Sequence, residues 1–300
     1  MKKILYLLLA LLLIAQPVFS VDINDWIKGD STDAVEGTDS VSDLDSNITN
    51  YLQDPLDRLL SHHIWGCNIT VTSDTVLTIS VGEVTCSNSA GTIRRMRKNT
   101  STTTVTNTSS GVGGLDTGSL AASTWYYIYA VADADATTFT AIMSASASFP
   151  TNASALYCRL IGVALTDGDS DWLVHYETGK GSEVIGMWSV PINETTTVNA
   201  GSWLALDCRS SIPSISTMGV FGLYSYDTST TSAGIWVRPT GSTWSTGTAN
   251  GIYTNSSSTT DTEIGGQRWC ATNSSQSIDY YNLTGDDGTS IDVEGFVYQR

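Results

Sequence analysis

Residues Trp125–Val131 read WYYIYAV, and this run gives the strongest indication of the fold. Aromatic and β-branched residues favour the pleated backbone of a strand. A run that is apolar at both odd and even positions buries both of its faces, which indicates a strand in the middle of a sheet. Further along, Leu160–Leu165 reads LIGVAL and is followed by the polar stretch TDGD and by Trp172–Val174. This order predicts a hairpin turn after the second strand.

Short alternating runs separated by polar turns continue through the rest of the chain. Ile69–Thr72 alternates with period two, and similar runs recur at intervals of about eight to twelve residues, which is typical of β-sandwiches. The sequence is rich in Thr and Ser and contains 26 Gly, a composition that favours strands and turns over helices. We therefore predict an all-β fold of short-strand sandwich domains, with a β domain at residues 64–178 and a C-terminal, ligand-binding sandwich at 179–300.

The overall composition excludes two classes of protein. Hydrophobic residues make up 41% of the chain and include nine Trp and thirteen Tyr, enough for a packed core, so general disorder is excluded. Acidic residues outnumber basic ones 30 to 14, which gives a formal charge of −16. Such a chain repels phosphate backbones, and we expect no nucleic-acid partner.

The N-terminus has the pattern of an export signal. Met1–Lys3 is basic, Ile4–Ala15 is apolar, and small residues precede the bond after Ser20. We predict a signal peptide at residues 1–20 and an exported, extracellular protein, or a virion component if a phage encodes it. The apolar run is short for a bilayer span, an uncleaved anchor being the alternative. Without another such run, the cleaved chain is expected to have no stable membrane span.

Residues 21–63 form an acidic segment with a helical rhythm. Val41, Leu44, Ile48 and Tyr51 are spaced three and four apart, and Pro55 is expected to end or kink the helix. A stripe two turns long is unstable unless its face is buried. It predicts either an oligomerisation helix, with a homotrimer as the favoured assembly, or a single helix that packs on its own chain.

The cysteine and aspartate patterns do not indicate a metal or another cofactor. Export permits disulfides, and the two possible pairs are Cys67 with Cys86 and Cys208 with Cys270, which leaves Cys158 as an apolar filler. The histidines lie at no zinc spacing from the cysteines. The alternating aspartates of residues 167–171 resemble a calcium loop but lack a distal glutamate, so a tight turn is the favoured interpretation.

One short string resembles a catalytic motif. Asp116–Ser119 reads DTGS, as in aspartic proteases, whose chemistry needs two carboxylates that share a proton. A second such motif is missing, because the best candidate, Asp227–Ser229, lacks the glycine. We interpret Asp116 as a turn residue and expect no catalytic residue, so that Asp116→Asn leaves the fold intact. A homodimeric protease with one motif per chain is the enzymatic alternative.

Two groups of side chains are candidates for binding. Several aromatic residues have an exposed-looking context and could stack on the apolar faces of sugar rings, although core packing is the common fate of such residues. These are Trp236, Trp244, Trp269, Tyr253, Tyr280 and Tyr281, of which we select Trp236, Trp244, Trp269 and Tyr280 as ligand-binding candidates. The basic residues Arg94, Arg95, Arg97 and Lys98 predict either an anion site or a positively charged strand edge, and the edge is favoured.

A longer pattern resembles a known family. The segment 113–129, GGLDTGSLAASTWYYIY, is followed by SASASFPT at 144–151 and by RLIGVALTD at 159–167. This order is similar to a module of tailed-bacteriophage tail-fibre and related virion structural proteins. The resemblance implies a fibre- or spike-like, usually trimeric protein that binds a host receptor.

We therefore expect a non-enzymatic structural and binding protein. Its partners would be further copies of the same chain and a cell-surface polysaccharide or receptor. The alternatives are an exported bacterial surface adhesin or appendage protein and a glycan hydrolase, which would need two carboxylates in a groove lined by Trp.

Overall fold

The computed structural model describes residues 63–300 except 154–155, 180, 196–200, 228–231, 247–248, 256–261 and 284–287. The predicted signal peptide and the acidic helical segment, whose last residue alone is described, therefore lie outside the described residues. What is described is built from strands, with one 3-10 turn at Thr151–Ala153, so the predicted all-β class is confirmed. Among these residues no helix is long and apolar enough to cross a membrane.

In chain order, the strands of the first half are β1 (Ile64–Gly66), β2 (Ile69–Ser73), β3 (Val76–Ile79), β4 (Gly82–Ser87), β5 (Arg94–Asn99), β6 (Thr103–Thr106), β7 (Trp125–Ala132), β8 (Thr140–Ser144) and β9 (Tyr157–Leu165). The second half contains β10 (His175–Thr178), β11 (Glu183–Thr195), β12 (Leu204–Asp207), β13 (Ser216–Asp227), β14 (Ser232–Pro239), β15 (Asn250–Asn255), β16 (Thr262–Ala271), β17 (Ser277–Asn282) and β18 (Gly288–Gln299).

The strands pair into four sheets. The first half forms a six-stranded sheet, in the order β1-β4-β9-β7-β8 with β5 on β4, and a three-stranded sheet, β2-β3-β6. The second half forms a five-stranded sheet, β10-β11-β18-β13-β16, and a four-stranded sheet, β12-β17-β14-β15. The named strand pairs are all antiparallel, as expected for short strands joined by tight turns.

The position of strand β7 in the fold explains why its residues are apolar on both faces. It lies between β8 and β9 in the six-stranded sheet, as the sequence predicts. Tyr126 and Ile128 pack in a core with Ile69 and Leu77 from the three-stranded sheet. The alternate residues, of which Tyr127 is the first, join a second core that extends into the C-terminal sheets. Each face of β7 is therefore buried against a different layer.

The second core also joins the two C-terminal sheets. Ile235 and Val237 of β14 pack in it with Phe221 and Phe296 of the five-stranded sheet. Strand β10 lies in the predicted first domain but pairs with β11 of the five-stranded sheet. Residues 60–300 form one compact unit. The boundary after residue 178 stays a prediction.

Candidate ligand-binding face

Two glycine-isoleucine-aromatic tripeptides meet on neighbouring strands of the four-stranded sheet. Residues 234–236 of β14 read GIW, and residues 251–253 of β15 read GIY. Their antiparallel register places Gly234 opposite Tyr253, Ile235 opposite Ile252 and Trp236 opposite Gly251. Both isoleucines are buried in the core. Because side chains alternate along a strand, both aromatic rings lie on the other face, each across from a glycine.

The two glycines let the indole of Trp236 lie flat on the sheet. A Cβ atom at Gly251 would come within 2.0 Å of Cδ1 of the indole, and one at Gly234 within 2.5 Å of Cη2. The pyrrole part of the ring therefore covers one glycine and the benzene part covers the other. Tyr253 stacks beside the indole, with 5.8 Å between ring centroids and 29° between ring planes. We call Trp236 and Tyr253 the aromatic shelf.

Two further rings extend the shelf across the remaining strands. Tyr281 of β17 meets Trp236 edge-on, with centroids 5.7 Å apart, and Trp203, directly before β12, meets Tyr281 at 5.6 Å. Trp203, Tyr281, Trp236 and Tyr253 form what we call the aromatic face. Tyr253 is 50% exposed, and the other three are half-buried. A continuous row of rings therefore runs from the residue before β12 across β17 and β14 to β15, on the side away from the core.

An ion pair borders the aromatic face at Trp203. The guanidinium of Arg238 lies over the ring of Trp203, 4.0 Å from its centroid. Its Nε donates to Oδ2 of Asp279 at 3.2 Å, and its Nη1 donates to the main-chain oxygen of Trp244 at 2.5 Å. The opposite charges of Arg238 and Asp279 compensate each other. This pair therefore contributes no net charge to the face and fixes the loop that carries Trp244.

The structure separates the four predicted aromatic residues. Trp236 lies in the aromatic face, and Trp244 is 44% exposed beside it. Trp269 is 40% exposed but belongs to β16 in the five-stranded sheet. Tyr280 is only 5% exposed, because strand alternation turns it into the core and turns its neighbour Tyr281 outward. The selection of Tyr280 is therefore corrected, because its buried side chain offers little surface to a ligand, and Tyr281 is the tyrosine on the outer face.

Sequence reasoning did not find Trp203 or the role of the glycines. The repeated glycine-isoleucine-aromatic tripeptide was the available signal, since a glycine inside a strand often marks a close approach of other atoms. Whether these glycines lie beneath an aromatic ring depends on the register between β14 and β15, which the local sequence does not reveal.

The basic residues of β5 do not form a single anion site. Arg97 is 4% exposed, and its Nη2 donates to the main-chain oxygens of Asp133 and Ala134 at 3.0 and 2.7 Å. Lys98 lies on the opposite side of the strand, and its Nζ is 2.5 Å from Glu83, whose pKa it lowers by hydrogen bonding. Arg94 and Arg95 are half-buried and also alternate in direction. In the described structure β5 pairs with β4 alone, which fits the strand-edge interpretation.

The surroundings of Asp116 indicate a structural role. It is 2% exposed, and its carboxylate accepts hydrogen bonds from the hydroxyl of Ser144 at 2.9 Å and from the amides of Thr151 and Asn152 at 2.9 and 2.7 Å. The side-chain amide of Asn152 also donates to the main-chain oxygen of Asp116. The carboxylate thus caps the 3-10 turn and does more than the simple turn residue predicted from the sequence.

All five cysteines are buried free thiols, so neither of the two possible disulfides is present. Burial raises the pKa of Cys67 to about 11 and the pKa of Cys86, Cys158 and Cys270 to about 12. Burial also raises the pKa of Cys208. The thiols are therefore held as small apolar groups in the two cores.

The aspartates of residues 167–171 lie in the tight turn that the sequence predicts. Oδ1 of Asp167 accepts hydrogen bonds from the amides of Asp169 and Asp171, each at 2.9 Å. Within the described ranges, no three His, Cys, Asp or Glu side chains are arranged to hold a metal ion.

Comparison with known proteins gives one family match. The model of a domain described as "Mtd second domain" matches residues 69–163, about a third of the chain. This range contains β2 to β8, most of β9 and the capping carboxylate of Asp116. No curated protein matches the chain. The family match describes a domain and no activity.

The similarity to solved structures is low. A tryptic core variant of the Bacillus thuringiensis protein Cry1Da is 9% identical and matches 78% of this chain at a TM-score of 0.17. The match spans about half the length of that structure, 51%.

Proposed function

We propose that this chain is a non-enzymatic structural and binding protein, a fibre- or spike-like subunit whose C-terminal β region recognises a surface glycan or receptor. The observation that carries the proposal is the aromatic face, where Trp203, Tyr281, Trp236 and Tyr253 cross the outer side of one sheet. Aromatic side chains supply much of the energy of recognition sites because they bury a large area at little entropic cost.

The two glycines beneath Trp236 reduce stability, which indicates that the arrangement serves binding and not packing. Gly234 and Gly251 lie within strands, where glycine reduces stability by about 0.5–1 kcal/mol relative to alanine. Their effect here is to leave room for Trp236 on the outer face, where the ring adds little to the core. A protein that needed stability alone would place polar or β-branched residues at these positions.

The first half of the described chain supports a structural role. Residues 113–167 resemble the tail-fibre module, and most of them lie within the range matched by the Mtd second domain. Asp116 lies in this shared range, and its carboxylate is occupied by three donors. That occupation supports a capping role over a role as a protease acid.

An exported bacterial surface adhesin is the main alternative, because the N-terminal segment has the pattern of a secretory signal. Immunogold labelling separates the two, since a virion subunit is expected on phage particles and an adhesin on intact cells. A glycan hydrolase receives less support, because Asp279 beside the aromatic face is paired with Arg238. Mass spectrometry of the exported protein tests cleavage after Ser20.

Binding of the full chain to surface material tests the proposal. Lipopolysaccharide, capsular polysaccharide and peptidoglycan from candidate host strains would be immobilised, and binding measured before and after periodate oxidation of the sugars. We expect saturable binding to at least one preparation and its loss after oxidation. Absence of binding to all three preparations and to intact cells of those strains would contradict the proposal.

The proposed homotrimer is tested separately. Light scattering should give three times the protomer mass, and Leu44→Asp with Ile48→Asp should reduce it, because charges in a buried helical seam are strongly unfavourable. These positions lie outside the described residues, so the expectation rests on sequence periodicity. A wild-type chain that stays monomeric at every concentration would contradict the trimer and leave the binding site in place.

A further inference from the structure

We propose that the aromatic shelf, Trp236 and Tyr253, binds two consecutive pyranose rings of an uncharged, equatorially linked glycan, such as a β-1,4-linked glucan or N-acetylglucosamine chain. This inference rests on the proposed binding function and adds the site and the class of sugar. It follows from the orientation of the two rings, from their mutual position and from the charges around them.

The orientation of the indole favours stacking. Since Trp236 covers Gly251 with one end and Gly234 with the other, one face of the ring lies on the sheet and the opposite face points away from it. Sugars whose substituents are equatorial present a flat surface of C–H groups, which packs against the face of an aromatic ring. A protein hot spot, in contrast, usually occupies a desolvated pocket, and a flat ring on a strand face is not a pocket.

The mutual position of the rings favours a chain over a single sugar. The centroids of Trp236 and Tyr253 are 5.8 Å apart, and their planes differ by 29°. This separation is comparable to the length of one pyranose unit in an extended chain. Equatorial linkages keep successive rings extended with a modest twist, so neighbouring sugars can contact the two side chains together. Axial linkages turn the chain away from the shelf after one sugar.

The charges favour an uncharged ligand. The formal charge of the chain is −16, which disfavours approach of an anionic polysaccharide. The guanidinium of Arg238 already donates to Asp279 and to the main-chain oxygen of Trp244. A second cation, Arg268, lies beside the shelf strand and donates to the main-chain oxygens of Gly251 and Gln267. A carboxylate on the sugar would have to displace Asp279. The remaining polar edge of this pair suits hydroxyl and N-acetyl groups, which exchange hydrogen bonds without a net charge.

Defined oligosaccharides test the proposal on the full chain. Isothermal titration would use cellohexaose and chitohexaose as the expected ligands, maltohexaose as the axially linked control and oligogalacturonate as the anionic control. We expect binding of cellohexaose or chitohexaose, at least tenfold weaker binding of both controls, and quenching or shift of tryptophan fluorescence on binding. Preference for maltohexaose or oligogalacturonate would overturn the inference.

Substitutions locate the site. Trp236→Ala and Tyr253→Ala should each weaken binding at least tenfold, and Trp65→Ala, an exposed tryptophan on β1 of the six-stranded sheet, should leave it unchanged. Equal affinity of Trp236→Ala and the wild type would overturn the inference. Thermal unfolding of each variant checks that the fold is retained.

A glycine substitution tests the geometry with both rings present. Gly251→Ala would place a methyl group within 2.0 Å of the present indole position and push the ring off the sheet. We expect weaker binding, and thermal unfolding would be measured as well, because the methyl group would also lie 2.5 Å from Cγ, the ring atom nearest the main chain. Gly265→Ala is the matched control, since its nearest atoms lie at 3.7 Å. Unchanged binding of Gly251→Ala would overturn the flat-shelf geometry.

The two proposals fail in different ways. If the immobilised surface polysaccharides bind the chain and Trp236→Ala binds them equally well, the shelf inference is wrong and the binding function stands. If neither the polysaccharides nor the oligosaccharides bind, the glycan-binding function itself is wrong.

Discussion

At the scale of single residues, Asp116 shows how a catalytic-looking string can have a structural origin. Its carboxylate accepts hydrogen bonds from Ser144, Thr151 and Asn152, which follow it by 28 to 36 positions in sequence. The bonds connect the turn before β7 with the 3-10 turn that precedes β9. Hydrogen bonds to a charged acceptor in a buried site are among the stronger ones in proteins.

Asp116→Asn is therefore expected to destabilise the protein, which revises the sequence-based expectation of an intact fold. An amide group cannot accept from all three donors, and a buried donor without a partner costs about 1–3 kcal/mol. We expect a loss of about 2 kcal/mol or more in the free energy of unfolding, measured by chemical denaturation. Asp169→Asn, in an exposed turn, is the control and should stay within about 0.5 kcal/mol. Equal stability of Asp116→Asn and wild type would contradict the capping role.

The buried cysteines give a second prediction at the residue scale. Because the pKa values of Cys67, Cys86, Cys158 and Cys270 are raised to about 11 or 12, few thiolates form at pH 8. We expect the native protein to react slowly with a disulfide reagent such as DTNB at this pH. Five thiols per chain should react after denaturation in guanidinium without reductant. A count of three or one would indicate one or two disulfides.

At the scale of elements, Glu177 links three strands, namely β10, on which it lies, β2 and β18. Its side chain is fully buried on β10, where Oε2 accepts from the amide of Ile69 on β2 at 2.7 Å and Oε1 accepts from the hydroxyl of Tyr298 on β18 at 2.5 Å. Burial, followed by the charge of Glu177, raises the pKa of Tyr298. This phenol therefore stays protonated and can donate. The carboxylate joins the three-stranded sheet to the five-stranded sheet.

Two substitutions at Glu177 should differ in severity. Glu177→Ala leaves the Ile69 amide and the Tyr298 hydroxyl without an acceptor, and we expect a loss of about 3 kcal/mol or more in unfolding free energy. Glu177→Gln retains one carbonyl for the amide and an NH₂ group that can donate to the phenol, so its loss should be smaller. Glu183→Ala, at the exposed first position of β11, is the control. An alanine variant as stable as the glutamine variant would show that these bonds contribute little.

At the scale of the whole molecule, Arg300 ties the end of the five-stranded sheet to the first half of the chain. It is 4% exposed, and its Nη1 donates to the main-chain oxygens of Cys67 and Ile161 at 3.1 and 2.9 Å. Its Nη2 donates to the main-chain oxygen of Gly66 at 2.6 Å and to Oδ1 of Asn68 at 3.1 Å. A single guanidinium therefore serves β1, the turn before β2 and β9.

Arg300→Lys tests this connection. An ammonium group on a flexible stem cannot reproduce the planar fork, so several buried carbonyls lose their donor. We expect the free energy of unfolding to fall by about 2–4 kcal/mol. Limited proteolysis should also cut the first half of the chain faster. Gln299→Ala is the neighbouring control and should change neither quantity. Unchanged proteolysis and stability in Arg300→Lys would contradict its role as a tie between the two halves.

Local patterns in the sequence are sufficient to predict the all-β class and the buried strand β7. Period-two runs, turn residues and the run WYYIYAV are local properties, and they predict strands because side-chain alternation depends on the strand alone. The turn at residues 167–171 was also predictable, since an aspartate can accept from backbone amides a few positions on.

Which residues meet depends on contacts between distant segments, and these are visible only in the folded protein. Tyr280 and Tyr281 are equivalent in local sequence, and the pairing of β17 with β12 and β14 turns one inward and the other outward. The donors to Asp116 come from other segments, and so does Gly251, one of the two glycines beneath Trp236. Register and packing between distant segments are set by long-range burial, which local periodicity does not encode.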